Sequence, residues 1–113
     1  MTTDLATHID EIRVIDTHEH LWREPKWLAE GPDDPLKMLF GSYVPSDLIT
    51  AGIDPQALEN LQKGDPDQLE QRWAAVEDVW QVIRFTGFGE AVGLLASHLL
   101  GMDTITAEGL RAA

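Results

Sequence analysis

Two histidines separated by a single residue, His18 and His20, are the side chains of this sequence best suited to bind a metal ion. They directly follow residues 13–17, a short β-branched run that predicts a strand buried on both faces, as central strands of parallel sheets are. Because side chains at i and i+2 point to the same side of an extended backbone, we expect the two imidazoles to converge on one point. Neutral imidazole is a good ligand for zinc and similar divalent metals.

The chain contains no cysteine, so imidazole and carboxylate are the only strong metal ligands available to it. We therefore expect a divalent metal bound by nitrogen and oxygen, with zinc as the first choice. Such an ion lowers the pKa of its bound water to roughly 7 and makes hydroxide available at neutral pH. Asp16 shares strand parity with both histidines and either supports them through a hydrogen bond or is satisfied by main-chain amides. Glu19 points the opposite way.

Other side chains are candidates for contact with a small-molecule substrate. The aromatic candidates follow the histidines and either line a substrate pocket above the metal or pack the helical insertion itself; they are Trp22, Trp27 and Tyr43. Arg84 suits planar recognition of a substrate carboxylate, but it also ends a predicted helix, where an arginine commonly pairs with the helix dipole. We keep Trp22 and Arg84 as substrate-binding candidates.

Most of the chain has the pattern of short helices. Thr3 is a candidate N-cap for an amphipathic helix over the first dozen residues. Three Asp-Pro pairs each offer a capping carboxylate followed by a preorganised first helical residue, and they are Asp34-Pro35, Asp54-Pro55 and Asp65-Pro66. Thr106 is a further candidate N-cap near the end of the sequence. The only predicted strand is the run before the histidines.

The strongest helical periodicity predicts a helix over about residues 67–84. Its apolar stripe repeats at spacings of three and four and consists of Leu69, Trp73, Val76, Trp80 and Ile83. We expect Trp73 and Trp80 in the core. A second helix follows the turn at residues 86–89 and ends near Gly101, with Val92, Leu95, Leu99 and Met102 predicted on one face. His98 on this helix is expected to be partly buried, and His8 to lie at the surface.

The run of residues 14–22, Val-Ile-Asp-Thr-His-Glu-His-Leu-Trp, resembles the first-strand signature of the amidohydrolase superfamily. The segments at residues 43–48 and 84–91 and the long helical region resemble the amidohydrolase 2 branch, which includes the uronate isomerases. The resemblance implies an α/β fold, a metal-dependent (β/α)8 TIM barrel, with His18 and His20 as metal ligands. It also implies a hydrolase in which a metal-activated water attacks an amide, ester or lactone carbon. A uronate, or sugar-acid, isomerase is the alternative within the family.

A barrel of this type needs roughly 250 residues and catalytic groups from several strand ends. The sequence accordingly predicts the N-terminal portion of one barrel domain over residues 1–113, with a leading helix and first strand over 1–22 and a helical insertion over 23–113. By the resemblance, the catalytic residues lie outside this sequence, so we expect a truncated piece that is inactive alone. Its exposed barrel edges would favour self-association.

The net charge of the chain disfavours two classes of binding partner. Twenty acidic against eight basic residues give a formal net charge of −12, which disfavours binding to nucleic acid and to anionic membranes. No signal-peptide pattern and no apolar run of membrane-spanning length occurs, so a cytoplasmic protein is expected. The alternative from another functional class is a small acidic helical interaction module in which the two histidines are incidental.

Overall fold

The chain divides into two compact units, Met1–Gly31 and Pro32–Ala113, and the computed structural model describes residues 3–113. The first unit contains α1 (Asp4–Glu11) and α2 (Glu24–Glu30). The second unit contains α3 (Pro35–Leu39), α4 (Val44–Thr50), α5 (Pro55–Lys63), a 3₁₀ turn (Pro66–Gln68), α6 (Leu69–Ala74), α7 (Glu77–Ile83), α8 (Gly87–Leu100) and α9 (Ala107–Ala112). We call the second unit the helical unit.

The prediction of an α/β fold beginning a (β/α)8 TIM barrel is wrong for the residues described, which form helices and no strand. Residues 13–17 lie instead in a segment without regular structure that joins α1 to α2. Val14 and Ile15 are 84% and 79% exposed. A strand requires a neighbouring strand to pair its main-chain donors and acceptors, and residues 3–113 offer none. β-branched residues favour a strand only where a sheet is present to pack against, and the described residues contain no sheet.

The helix starts predicted from capping residues are confirmed. The Asp34, Asp54 and Asp65 carboxylates each accept a hydrogen bond from a main-chain N–H two or three residues later, and a proline follows each of them. Thr3 and Thr106 cap α1 and α9 in the same way. These starts are predictable because a cap depends only on residues within the same turn.

The single helix predicted over residues 67–84 is divided in the structure. The chain passes through the 3₁₀ turn, α6 and α7, with a break at Ala75 and Val76. At the break, the Val76 N–H donates to the Trp73 carbonyl oxygen at 2.9 Å, a bond one residue shorter than an α-helical one. Val76 is fully buried there. The spacing of three and four residues is satisfied within each half, so periodicity alone does not reveal the break.

The second predicted helix is α8, and its predicted end is confirmed by Gly101, which adopts the left-handed conformation with φ of 66°. The predicted buried face is partly wrong. Val92 and Ala96 are buried, whereas Leu95 and Leu99 are exposed. His98, predicted to be partly buried, is exposed, and the surface position predicted for His8 is confirmed.

The face of α8 that is buried differs from the predicted one because α8 lies very close to α7. A Cβ atom added at Gly89 would overlap the main-chain oxygen of Ile83, so only glycine permits this packing. Thr86 supports the same corner, since its hydroxyl lies 2.5 Å from the Asp47 carboxylate on α4 and accepts from the Gly89 N–H. Together these contacts turn Val92 and Ala96 inward.

The core of the helical unit is one apolar cluster. Phe40 lies between the two tryptophans, with ring centroids 6.1 Å from Trp73 and 5.5 Å from Trp80. The core positions predicted for both tryptophans are confirmed. Other members are Leu36, Leu39, Val44, Leu48, Ile53, Leu61, Val76, Ile83, Val92, Ala96, Met102, Ile105 and Leu110. No helix among the described residues combines the length and apolar character needed to cross a membrane.

A buried ion pair joins the first and middle helices of the helical unit. Arg72 is 3% exposed and Asp34 is 7% exposed, and an Arg72 guanidinium nitrogen lies 2.6 Å from the Asp34 carboxylate. The guanidinium also donates to the carbonyl oxygens of Asn60 and Leu61, each at 2.7 Å, and of Asp65 at 3.2 Å. The Asn60 and Asp65 carbonyls also accept from the main-chain N–H groups of Gly64 and Gln68, so Arg72 adds a second donor to these two and caps the Leu61 carbonyl in the last turn of α5.

Lys37 adds a second, more exposed contact at this end of α3. Its ammonium lies 2.6 Å from the Asp33 carboxylate and 3.6 Å from that of Asp34. The hydrogen bond from Lys37 lowers the pKa of Asp33 below its ordinary value. The start of α3 is therefore held by side chains from two directions.

We expect Arg72→Met to lower the free energy of unfolding of the full chain by about 3–5 kcal/mol, because it leaves the buried Asp34 carboxylate unpaired. Arg111→Gln is the matched control, since it removes an arginine whose pair with Glu70 is exposed; it should cost less than about 1 kcal/mol. Urea unfolding followed by circular dichroism measures both. Equal effects of the two substitutions would contradict the role given to Arg72.

Two glycines of α8 provide a second test. Gly89→Ala should destabilise the chain by about 1–3 kcal/mol, because the new methyl group overlaps the Ile83 main chain. Gly93→Ala, in the same helix with no atom near its added Cβ, should stabilise by up to about 1 kcal/mol through helix propensity. Thermal unfolding of both variants gives the comparison, and stabilisation by both would show that α7 and α8 do not approach closely.

Candidate metal-binding site

His18 and His20 lie in the segment that joins α1 to α2, and their rings face each other. The two Nε2 atoms are 2.8 Å apart, and the ring centroids are 4.8 Å apart. Both side chains are exposed. The convergence predicted from sequence is therefore present, although no strand produces it.

Local hydrogen bonds shape the segment in place of a sheet. The Asp16 carboxylate accepts from the His18 main-chain N–H at 3.0 Å, and the Glu19 carboxylate accepts from the Leu21 N–H at 2.5 Å. Each bond spans two residues and folds the chain back on itself. Two roles were expected for Asp16, support of the histidine side chains or a bond to main-chain amides. The observed contact is of the second kind.

The separation of the two Nε2 atoms can be compared with that of two ligands in a zinc site. With zinc–nitrogen bonds of ~2.0–2.1 Å, tetrahedral geometry places two ligand nitrogens about 3.3 Å apart. From the observed 2.8 Å, the rings need to separate by only about 0.5 Å to meet that geometry. Among residues 3–113, no group of three or more His, Asp or Glu side chains is placed to hold a metal ion. The segment therefore brings two imidazoles together.

An apolar groove borders His20 within the same unit. Its volume is about 410 Å³, and it is lined by His20, Leu21, Trp22, Glu24 and Trp27. Trp22 and Trp27 meet edge to face with ring centroids 6.3 Å apart. The two tryptophans therefore pack on each other and line the groove beside His20.

Lys26 lies over Trp22, with its ammonium 4.5 Å from the ring centroid, and contacts Glu30 at 3.9 Å. The sequence analysis did not single out Glu24 or Lys26. The signal was present in Glu24-Pro25, because a proline in the first turn marks a helix start as it does in the Asp-Pro pairs. That start places residues 24 and 27 on one side of α2.

The remaining substrate candidates belong to the helical unit. Arg84 is exposed at the C-terminal end of α7, and its guanidinium carbon lies 4.5 Å from the centre of the Phe85 ring. It lines a cavity of about 370 Å³ together with Trp80, Glu90 and others. Tyr43 stacks on Phe88, with ring centroids 5.9 Å apart.

In comparisons with protein-family models, with curated proteins and with solved structures, nothing matches this chain.

Proposed function

We propose that this protein is a metal-dependent hydrolase of the amidohydrolase type, in which His18 and His20 bind a divalent metal ion, with zinc as the preferred ion. The observation that carries the proposal is the convergence of the two imidazoles, with their Nε2 atoms 2.8 Å apart. The resemblance of residues 14–22 to the amidohydrolase signature supplies the reaction type.

The pairing of the two rings supports a binding role. His8 and His98 are exposed as well, and among the four histidines the rings of His18 and His20 are the two that lie together. Within the described part of the chain, the hydrogen bond recorded for these two rings is the one between them. A metal ion displaces that single bond and gains two nitrogen ligands.

The residues around the pair suit a small substrate. A divalent metal held at this position would lower the pKa of its bound water and would polarise a carbonyl oxygen of the substrate. Leu21, Trp22 and Trp27 offer an apolar wall beside His20 for the non-reacting part of an amide, ester or lactone. Asp16 and Glu19 fix the backbone on either side of the histidines through their bonds to main-chain amides.

An interaction module is the second candidate, and the helical unit favours it. That unit has its own apolar core, and within residues 3–113 no buried side-chain nitrogen or oxygen lacks a hydrogen-bond partner. Leu94, Leu95 and Leu99 remain exposed on α8. A unit with a complete core can present such a face to a partner without any catalytic role.

We expect the chain to bind Zn²⁺ weakly, since at least two of the four usual positions are left to other ligands. His18→Ala and His20→Ala should each lower the affinity at least ~10-fold. Isothermal titration calorimetry with Zn²⁺ measures this.

The matched controls are His8→Ala on α1 and His98→Ala on α8, which remove exposed imidazoles elsewhere. Both should bind Zn²⁺ as the unmodified chain does. Equal losses for all four substitutions would indicate unspecific binding and contradict a site at His18 and His20.

The hydrolase assignment is tested on the protein purified from its native source, at whatever length it is made there. We expect hydrolysis of at least one member of an amide, ester and lactone panel, with loss of activity on chelation and in His18→Ala. Turnover of a uronate alone would favour the isomerase, and activity that survives chelation would contradict a metal-dependent mechanism.

A further inference from the structure

We propose that the cavity between α7, α8 and the loop after α8 binds a small zwitterion, an α-amino acid with an apolar side chain. In this site Arg84 binds the carboxylate of the ligand, Glu90 and Asp103 face its ammonium group, and the apolar floor of the cavity takes its side chain. The cavity lies entirely within the helical unit. The proposal is therefore independent of the metal site at His18 and His20.

The floor of the cavity is apolar and belongs to the core. The cavity has a volume of about 370 Å³, which is within the range of small-molecule sites. Trp80, Met102 and Ile105 line it, although each of these side chains is 6% exposed or less. Gly93 of α8 also lines it, and a Cβ atom added there would meet no atom within 4 Å. The glycine therefore leaves space above the floor for an apolar group.

Charged side chains of both signs surround this floor. Arg84, Glu90 and Asp103 line the cavity and are exposed. Among residues 3–113, none of the three takes part in an ion pair. The Arg84 guanidinium lies over the ring of Phe85, and one Asp103 carboxylate oxygen accepts from the Ser97 hydroxyl at 3.1 Å. The cavity therefore presents one cationic and two anionic groups that do not neutralise each other.

A second cavity of the helical unit shows the opposite arrangement. Its volume is about 550 Å³, and Asp34, Glu70 and Arg111 are among its lining residues. The Arg111 Nε lies 2.6 Å from the Glu70 carboxylate, and a guanidinium nitrogen of Arg72 lies 2.6 Å from that of Asp34. A charged ligand there competes with ion pairs that the protein has already formed. At the cavity beside α8, the ligand instead supplies the missing partners.

The signs of the charges select a zwitterion over an ion of either sign. A guanidinium offers parallel N–H donors that match the two oxygens of a carboxylate. A ligand with a carboxylate alone meets the repulsion of Glu90 and Asp103, and a ligand with an amine alone leaves Arg84 without a partner. An α-amino acid carries both charged groups on one carbon atom. Its side chain can then cover the apolar floor.

A chemical-shift titration by NMR, with L-leucine added to the full chain, tests the proposal. The matched ligands are isocaproate, which lacks the ammonium group, and isoamylamine, which lacks the carboxylate. We expect L-leucine to bind with a Kd of ~1 mM or lower. Each analogue should bind at least ~10-fold more weakly, because it loses a hydrogen bond between charged groups. Absence of L-leucine binding, or equally tight binding of either analogue, would overturn the proposal.

Charge substitutions locate the site. Arg84→Gln should weaken L-leucine binding at least ~10-fold, and Glu90→Gln should weaken it several-fold. The matched controls are Arg111→Gln, at an exposed arginine outside the cavity, and Glu108→Gln, which lies in the first turn of α9 as Glu90 lies in the first turn of α8. Both controls should bind L-leucine as the unmodified chain does. Unchanged affinity in Arg84→Gln, or equal losses in the controls, would contradict the site.

Gly93→Leu tests the cavity without a change of charge. The new side chain occupies the space that the ligand requires, so L-leucine binding should be lost. The melting temperature should be at least that of the unmodified chain, because leucine favours a helix more than glycine does. Thermal unfolding followed by circular dichroism confirms that the variant is folded. L-leucine binding that persists in folded Gly93→Leu would place the ligand elsewhere and overturn the proposal.

Discussion

Arg72 directs its N–H donors at carbonyl oxygens at the end of α5 and in the loop that follows. The guanidinium caps the Leu61 carbonyl, adds a second donor to the Asn60 carbonyl, which also accepts from the Gly64 N–H, and pairs with Asp34. Because the guanidinium is planar and its donors are fixed, α3, α5 and α6 hold a single relative arrangement when all these bonds form. The apolar core packs between the helices that this side chain joins.

The features of the fold that were predictable from sequence are local, and those that were missed depend on distant partners. The caps at Asp34, Asp54 and Thr106 follow from residues within one turn. The strand at residues 13–17 was wrong because strand formation depends on a neighbour that short-range patterns do not report. Arg72 is three residues after Leu69 and four before Val76, so its spacing predicts a buried position. It was not assigned to the core because arginine is polar.

The candidate site shows a correct prediction reached through a wrong intermediate. Alternation along a strand was the reason to expect His18 and His20 on the same side, yet the rings meet in a segment that has two short side-chain-to-main-chain bonds and no strand. Asp16 and Glu19 supply the carboxylates of those two bonds. Metal binding stays a prediction, since the structure shows two imidazoles with their Nε2 atoms 2.8 Å apart and no group of three or more His, Asp or Glu side chains placed to hold an ion among residues 3–113.

Residues 3–31 contain no buried side chain, and this has an evolutionary consequence. In the helical unit, packing restricts which residues are tolerated at core positions, so a position there can stay unchanged for structural reasons alone. Packing imposes no such restriction on the first segment, where Leu5 or Ile9 is free to drift. If His18 and His20 persist among relatives while their neighbours vary, selection for binding is the remaining reason for their retention.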